Sequence, residues 1–274
     1  MNVIDVWRMS ASRPWQLAGT HNDLIKHLQY SGKLRFHLIE SVVEKKGSAE
    51  CIQFAERNGY EVHVIDPAKG QGCAMEYAVR HVISSEFALK WEDDFRPVMP
   101  IPLDNCISAM WKYTHINQIC FNKRKTLSWK WTAASDGTKY QWPKKQRYFD
   151  VADVAGQTVS VPMVVKEKWW FGSALWRMAY IKPLFRAFEN NTHNYMNDRV
   201  LLPLISGFSM PDGNGKGAQY PTPEEIEKYI GCYIYGKTGD PPMVEHTGRG
   251  DSLWMGEMQK KWTAEGKEFY SGGR

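Results

Sequence analysis

Residues 84–97 read Ser-Ser-Glu-Phe-Ala-Leu-Lys-Trp-Glu-Asp-Asp-Phe-Arg-Pro, and the fold turns on them. An apolar run from Phe87 to Trp91 stops at three consecutive carboxylates, Glu92, Asp93 and Asp94, with Phe95 and Pro97 close behind. A run of this length bounded by polar residues predicts a buried strand. Acids at the end of such a strand stand at the rim of a sheet, where open α/β folds bind ligands. Three adjacent carboxylates repel one another unless a cation holds them. Hard divalent ions such as Mg2+ and Mn2+ take oxygen ligands, usually carboxylates together with substrate phosphates. The stretch therefore reads as a cation-diphosphate site or as a solvated acidic turn.

The chain before it alternates strand and helix. Val3 to Met9 is an apolar-rich run, broken by Ser10-Ala11-Ser12-Arg13-Pro14; Pro14 suits a first helical turn. Leu17, Leu24, Ile25 and Leu28 recur at helical spacing, with Gly19 weakening the pattern. Leu34 to Ile39 is a second strand ending in an acid, Glu40. Ser48 is a candidate N-cap for a helix that closes at Asn58-Gly59. Glu61 to Ile65 is a third strand, and a loop from Pro67 to Gly72 leads into a helix through Met75, Ala78, Val79 and Ile83. Strand–helix alternation of this kind predicts an α/β fold with a parallel sheet. Glu40 and the Glu92–Asp94 acids then share one carboxyl edge.

The second half is less regular. Leu103 to Tyr113 reads as a helix and Ile116 to Phe121 as a strand. From Asn122 to Gln157 the pattern dissolves into Lys, Arg, Trp, Gly and Asp, which predicts an extended excursion. Val159 to Val165 is a strand, and Ala179 to Phe188 and Tyr195 to Ile205 are helical. Ser209 to Thr222 is a Gly/Pro-rich loop, and Pro223-Glu224-Glu225 opens a short helix.

The 274 residues suffice for one large α/β domain or two small ones. A net charge of +5 favours an anionic partner without proving one. The five cysteines form no C-x-x-C pair, which argues against a disulfide framework and a structural zinc site and for a reducing compartment. No secretory signal or ~20-residue apolar span is visible. The expectation is a cytoplasmic protein, in host cytoplasm if viral.

These features, in this order, resemble a GT-A-type nucleotide-sugar glycosyltransferase of the large inverting family. The resemblance runs from about Val3 to His246. Ser12-Arg13-Pro14 resembles the family's opening, and the strand ending at Glu40 resembles its nucleoside-binding position, with Glu where the family usually has Asp. Gly70-Gln71-Gly72-Cys73-Ala74 is similar to its Gly-x-x-x-Ala stretch, and Glu92-Asp93-Asp94 to its Asp-x-Asp (DXD) metal motif. Gly172 to Arg177 resembles the acceptor-side Gly-to-Arg stretch, Asn197-Asp198 the acidic base position, and Val244-Glu245-His246-Thr247-Gly248 the late His-x-Gly.

The resemblance implies a GT-A (Rossmann-like), mostly parallel sheet flanked by helices with an acceptor-side extension. It implies one domain over 1–274, with a nucleotide-binding half (1–100) and an acceptor-binding half (101–274). It further implies an enzyme that moves a hexosyl or pentosyl group from a nucleotide-diphosphate sugar to a hydroxyl acceptor. Mn2+ or Mg2+ bridging the diphosphate would stabilise the leaving group as a Lewis acid. Asp94 and His246 would be the direct protein ligands, His246 reading otherwise as a surface histidine. Glu92 or Asp93 would act through water or on the donor ribose. Glu40 would accept from the nucleobase, Arg13, Gly70, Gly72 and Arg249 would line the nucleotide, and Arg177 would contact the diphosphate or the acceptor. Asp198 would be the base of an inverting reaction, or a helix-start acid, with Glu189 as the fallback.

Lys123-Arg124-Lys125, Trp129-Lys130-Trp131 and Lys144-Lys145-Gln146-Arg147 interleave basic and aromatic residues. That composition suits a phosphate backbone and unstacked bases, so a hydroxymethylated base in DNA joins glycan, lipid and protein as a candidate acceptor. Standalone transferases of this size occur in viral and phage genomes, some of which modify DNA. The alternative reading of the same stretch is a basic loop over the donor site. Trp169 and Trp170 suit stacking on a ligand or the core. Two competing functions remain: a sugar-phosphate nucleotidyltransferase, for which the loop after the first strand lacks the expected glycines, and a non-catalytic nucleic-acid-binding protein on a transferase fold.

Overall fold

In the computed structural model, residues 3–68, 71–133, 139–166, 172–186 and 222–247 are described. The apolar run at Val3 becomes strand β1 (Val3–Ser10), buried along nearly its whole length. Pro14 starts helix α1 (Pro14–His27), which runs through Gly19 unbroken because Leu17 and Leu24 anchor it on the core. Strands β2 (Leu28–Gln29) and β3 (Lys33–Ser41) follow, then α2 (Lys45–Arg57), β4 (Glu61–Ile65) and α3 (Gln71–Tyr77). A π-helical turn over Ala78–Val82 continues α3. The opening stretch forms β5 (Phe87–Glu92) and β6 (Phe95–Pro97). Next come β7 (Ile101–Pro102), α4 (Leu103–Lys112) and β8 (Gln118–Cys120).

One nine-stranded sheet spans both halves of the sequence. Counting on through β9 (Trp129–Ala133), β10 (Lys139–Pro143), β11 (Gln146–Ala152), β12 (Thr158–Val165), β13 (Ala174–Arg177), α5 (Met178–Arg186), β14 (Cys232–Tyr235) and β15 (Val244–His246), its order is β11-β12-β14-β8-β13-β5-β1-β3-β4. The block β5-β1-β3-β4 is parallel, as the alternation predicts. Strand β13 inserts antiparallel between β5 and β8, and β12 runs antiparallel to both β11 and β14, so the sheet is mixed with most strands sharing one direction. Trp7, Trp91 and Trp176 are fully buried, with Trp7 and Trp176 meeting edge to face at 5.7 Å between ring centroids. Three of the twelve tryptophans thus fill the core. All five cysteines are thiols, as their spacing predicts.

Two expectations need correction. Helix α2 starts at Lys45, and its cap is Glu44, whose carboxylate accepts from the Lys46 and Gly47 amides; Ser48 lies inside the helix. The stretch after Asn122, expected as an irregular extended excursion, is more regular than its composition suggests. It holds the hairpin β9–β10 and strand β11 at the sheet edge, where β11 alternates buried and exposed residues. The basic and aromatic composition there masks a period-two pattern. Tyr195–Ile205 and most of the Gly/Pro-rich loop lie outside the described residues.

Candidate active site

Parallel register aligns the strand ends that carry the acids. Met9 of β1 lies opposite Glu92 of β5, and Ser10 lies opposite Glu40 of β3. Beyond β5 the chain turns through Asp93 and Asp94, and the fold clamps this turn by its backbone. The Asp93 carbonyl accepts from Thr20 Oγ1 at 2.8 Å and from Arg8 Nη2 at 3.4 Å. Arg8 is fully buried and also donates to the Leu17 carbonyl at 3.1 Å. Strand β1 and helix α1 therefore fix the acidic turn before any ligand arrives.

The charge that gathers the acids is a guanidinium. Arg13 Nη2 donates to Asp93 Oδ1, and its Nη1 lies 3.5 Å from Asp94 Oδ2. Glu92 is drawn away instead, with Lys90 Nζ 3.0 Å from its carboxylate. The Asp93 side chain has no solvent exposure. Burial pushes its carboxyl up to about 7, against the pull of Arg13. Burial alone would also raise Asp94, but hydrogen bonding to His246 and the Arg13 charge outweigh it, and that carboxyl sits below its ordinary value.

His246 reaches this turn through strand pairing across 150 residues of sequence. Strand β15 pairs antiparallel with β6, and His246 stands opposite Phe95. The His246 ring packs edge-on against Phe95 at 5.0 Å, and its Nε2 lies 3.3 Å from Asp94 Oδ2. The Thr247 amide and hydroxyl donate to the Asp94 carbonyl at 2.8 and 3.0 Å, which locks the register. Lys123 Nζ lies over the other residue of this contact, 5.3 Å from the Phe95 ring centre.

Several inward-facing atoms here have no hydrogen-bond partner: Asp93 Oδ2, Asp94 Oδ1 and His246 Nδ1. Buried polar atoms are rarely left so. A carboxylate beside an imidazole, with further acceptor oxygens unpaired, fits a divalent cation that also takes phosphate oxygens. Asp94 and His246 would hold it, with Asp93 tied to Arg13.

The remaining sequence-predicted residues separate into three groups. Gly72 lies in the first turn of α3, half-buried. Glu40 is at the expected strand end but is wholly buried: its Oε1 accepts from the Ser12 amide at 2.8 Å, and its Oε2 is unpartnered. Burial raises its pKa, partly offset by the Ser12 amide. Glu40 as placed shapes the Ser12 loop. Arg177 is corrected outright. It lies opposite Phe87, at the far end of β5 from Glu92. There it stacks on the Phe87 ring at 5.1 Å and donates to the carbonyls of Ile116 (3.1 Å) and Met110. Gly70, Arg249, Asp198, Glu189, Trp169 and Trp170 lie outside the described residues.

Sequence reading passed over Ser12. It adopts φ +59°, the left-handed region that a non-glycine residue seldom occupies. Its hydroxyl accepts from the Val43 and Glu44 amides at 3.0 Å each, joining the loops after β1 and β3. Gly47 makes room for this contact: a Cβ there would stand 2.6 Å from the Ser12 carbonyl oxygen. Arg8 and Thr20 were also missed, since nothing in a lone Arg or a mid-helix Thr signals a partner at Asp93.

No protein-family model and no curated relative matches the chain. Solved structures do resemble it. The S. aureus TarS fragment 1–349 in complex with UDP-GlcNAc aligns with a TM-score of 0.50 at 10% identity, over 91% of this chain and 61% of that one. GalNAc-T7 with UDP, GalNAc and Mn2+ aligns with a TM-score of 0.52 at 9% identity, over 89% of this chain and 43% of that one. The mannosyltransferase PcManGT from Pyrobaculum calidifontis, in complex with GDP-Man and Mn2+, gives 0.48 at 12% identity, over 98% and 66%. The chain spans less than two thirds of the length of each. At such identities the likeness shows the fold, which is GT-A, Rossmann-like α/β.

Proposed function

We propose that this chain is a metal-dependent glycosyltransferase, moving a sugar from a nucleotide-diphosphate donor to a hydroxyl acceptor. The observation that carries the reading is the convergence of Asp94 and His246, 3.3 Å apart, at the carboxyl edge of β5. The fold supports it, since TarS and GalNAc-T7 share the GT-A architecture and were solved with UDP-GlcNAc and with UDP and Mn2+. Mn2+ or Mg2+ held there supplies a Lewis acid for the charge that develops on the departing diphosphate.

The chain's own residues do the rest. Arg8, Thr20 and Thr247 fix the backbone of the acidic turn, so the ligand geometry is set in advance. Arg13 keeps Asp93 from competing as a free carboxylate, and its guanidinium would be available to the donor phosphates. In this reading Glu92-Asp93-Asp94 serves as the DXD motif, with Asp94 its ligating member. Residues 1–100 bind the nucleotide and residues 101–274 the acceptor. Transfer is inverting, with Asp198 taking the acceptor proton and Arg249 contacting phosphate.

A hydroxymethylated base in DNA is the finer acceptor reading, supported by the basic and aromatic residues at 123–147. Two of those cations are already engaged: Lys145 with Glu224 and Arg147 with Glu227, each at 2.5 Å. Duplex binding across a salt series decides it, because phosphate contacts impose a steep dependence; a flat, weak response removes DNA as the acceptor. The donor reading is tested by nucleoside diphosphate release from a panel of nucleotide sugars, with and without Mn2+. Absence of both hydrolysis and binding for every donor sinks it.

A further inference from the structure

On the opposite face of β3 from Glu40, two histidines and a glutamate converge. Glu61 stands beside His37 and His63 beside Ile39 in the β3–β4 pairing, and strand β4 is the sheet edge. One ligand-capable atom from each of His37, Glu61 and His63 lies within 4.8 Å of the others. We propose that these three residues bind a single zinc-class divalent cation, at a site separate from the diphosphate centre.

The second observation is how the imidazoles are oriented. His37 is buried, and its Nε2 lies 3.1 Å from Asp5 Oδ1. Asp5 also accepts from Arg35 Nε at 2.6 Å and from the Ser84 and Ser85 amides at 2.8 and 2.9 Å. A carboxylate can only accept from these partners, so Asp5 accepts a hydrogen bond from the Nε2–H of His37. The lone pair is thereby left on Nδ1, which faces Glu61 Oε2 at 3.4 Å. A lone pair facing a carboxylate is repulsive unless a proton or a metal ion sits between them. His37 Nδ1 and His63 Nε2 are both buried without a hydrogen-bond partner.

The chemistry of the set selects the ion. Two imidazoles and one carboxylate suit zinc and its neighbours better than Mg2+ or Ca2+. Tetrahedral zinc ligands at roughly 2.0–2.1 Å stand about 3.4 Å from one another, the separation of His37 Nδ1 and Glu61 Oε2. A carboxylate behind the ligating imidazole, here Asp5, is the usual orienting partner in such sites. Cysteine spacing could not disclose this site, because its ligands lie on two strands 24 residues apart, His37 to Glu61. A cation bound there would pin the edge strand β4 to β3.

The test uses the untagged full chain, stripped with chelator, in an Asp94→Asn background that disables the diphosphate centre. Titration with Co2+ should give one equivalent with visible ligand-field bands, displaced by Zn2+. His63→Gln should abolish the bands, while His81→Gln leaves them intact. In the wild-type chain, Zn2+ but not Mg2+ should raise the thermal midpoint, and His63→Gln should remove that rise. Should His63→Gln fail to fold, the exposed Glu61→Gln decides, with an expected loss of at least about tenfold in Co2+ affinity. Absence of bands and of a Zn2+-dependent rise overturns the proposal. Unchanged Co2+ binding in the decisive variant overturns it too.

Discussion

Asp5→Asn should destabilise the fold by about 3 kcal/mol at neutral pH. The Asp5 side chain has no solvent exposure, and its two oxygens take four donors: Arg35, His37 and the Ser84 and Ser85 amides. Asparagine preserves the shape but offers one oxygen, so some of these donors must face an amide N–H. Breaking a buried ion pair costs about 3–5 kcal/mol. The Arg35 side chain is 34% exposed and recovers part of its loss in water, which favours the lower end of that range. The sign of the pH dependence follows from the depressed folded-state pKa. Below the ordinary carboxylate value of about 3.9 the unfolded chain binds a proton that the folded chain refuses. The stabilisation is therefore complete above about pH 5 and fades as pH falls through 4 and lower. Urea unfolding of both chains, repeated from pH 7 to pH 3, should show a gap that narrows at the acid end. A gap under about 0.5 kcal/mol at pH 7, or one that does not change with pH, would refute the reasoning.

Asp94→Asn should abolish Mn2+-dependent nucleoside diphosphate release with the unfolding midpoint little changed, and His246→Gln should raise the Mn2+ requirement at least about tenfold; metal titrations of activity measure both. Asp198→Asn should abolish transfer while donor binding, followed by calorimetry, stays nearly intact; surviving transfer would place the base elsewhere. Gly47→Ala should displace the Ser12 loop, costing about 1–3 kcal/mol in denaturant unfolding and weakening donor binding. Arg177→Met should lower stability by about 2 kcal/mol, because the Ile116 and Met110 carbonyls lose a charged donor, yet leave the donor KM unchanged.

The parallel half was legible because each of its strands is a short apolar run with a helix behind it. Glu61–Ile65 was read to the residue, and β5 to within one. Local signals failed where the decisive partner is remote. Glu44 displaced Ser48 as the α2 cap although glutamate is not a favoured capping residue, since the Ser12 hydroxyl holds its backbone amide from another loop. Arg177 looked like a ligand contact because it closes the Gly172-to-Arg177 stretch that resembles the acceptor-side motif; only the antiparallel insertion of β13 sends it to the opposite sheet edge. The acidic turn was located correctly, but its counter-charge is Arg13, 80 residues upstream of Asp93.

The pairing of β15 with β6 also sets an order of events. Asp94 lies before residue 100 and His246 near 250, and the strand that joins them is the last of the fifteen among the described residues. During synthesis the acidic turn and its arginine can settle while the imidazole is still inside the ribosome. In that interval Arg13 is the counter-charge available to both acids. If the proposed centre is the working one, a fragment cut before Val244 would keep the parallel sheet block yet lack the imidazole that completes it.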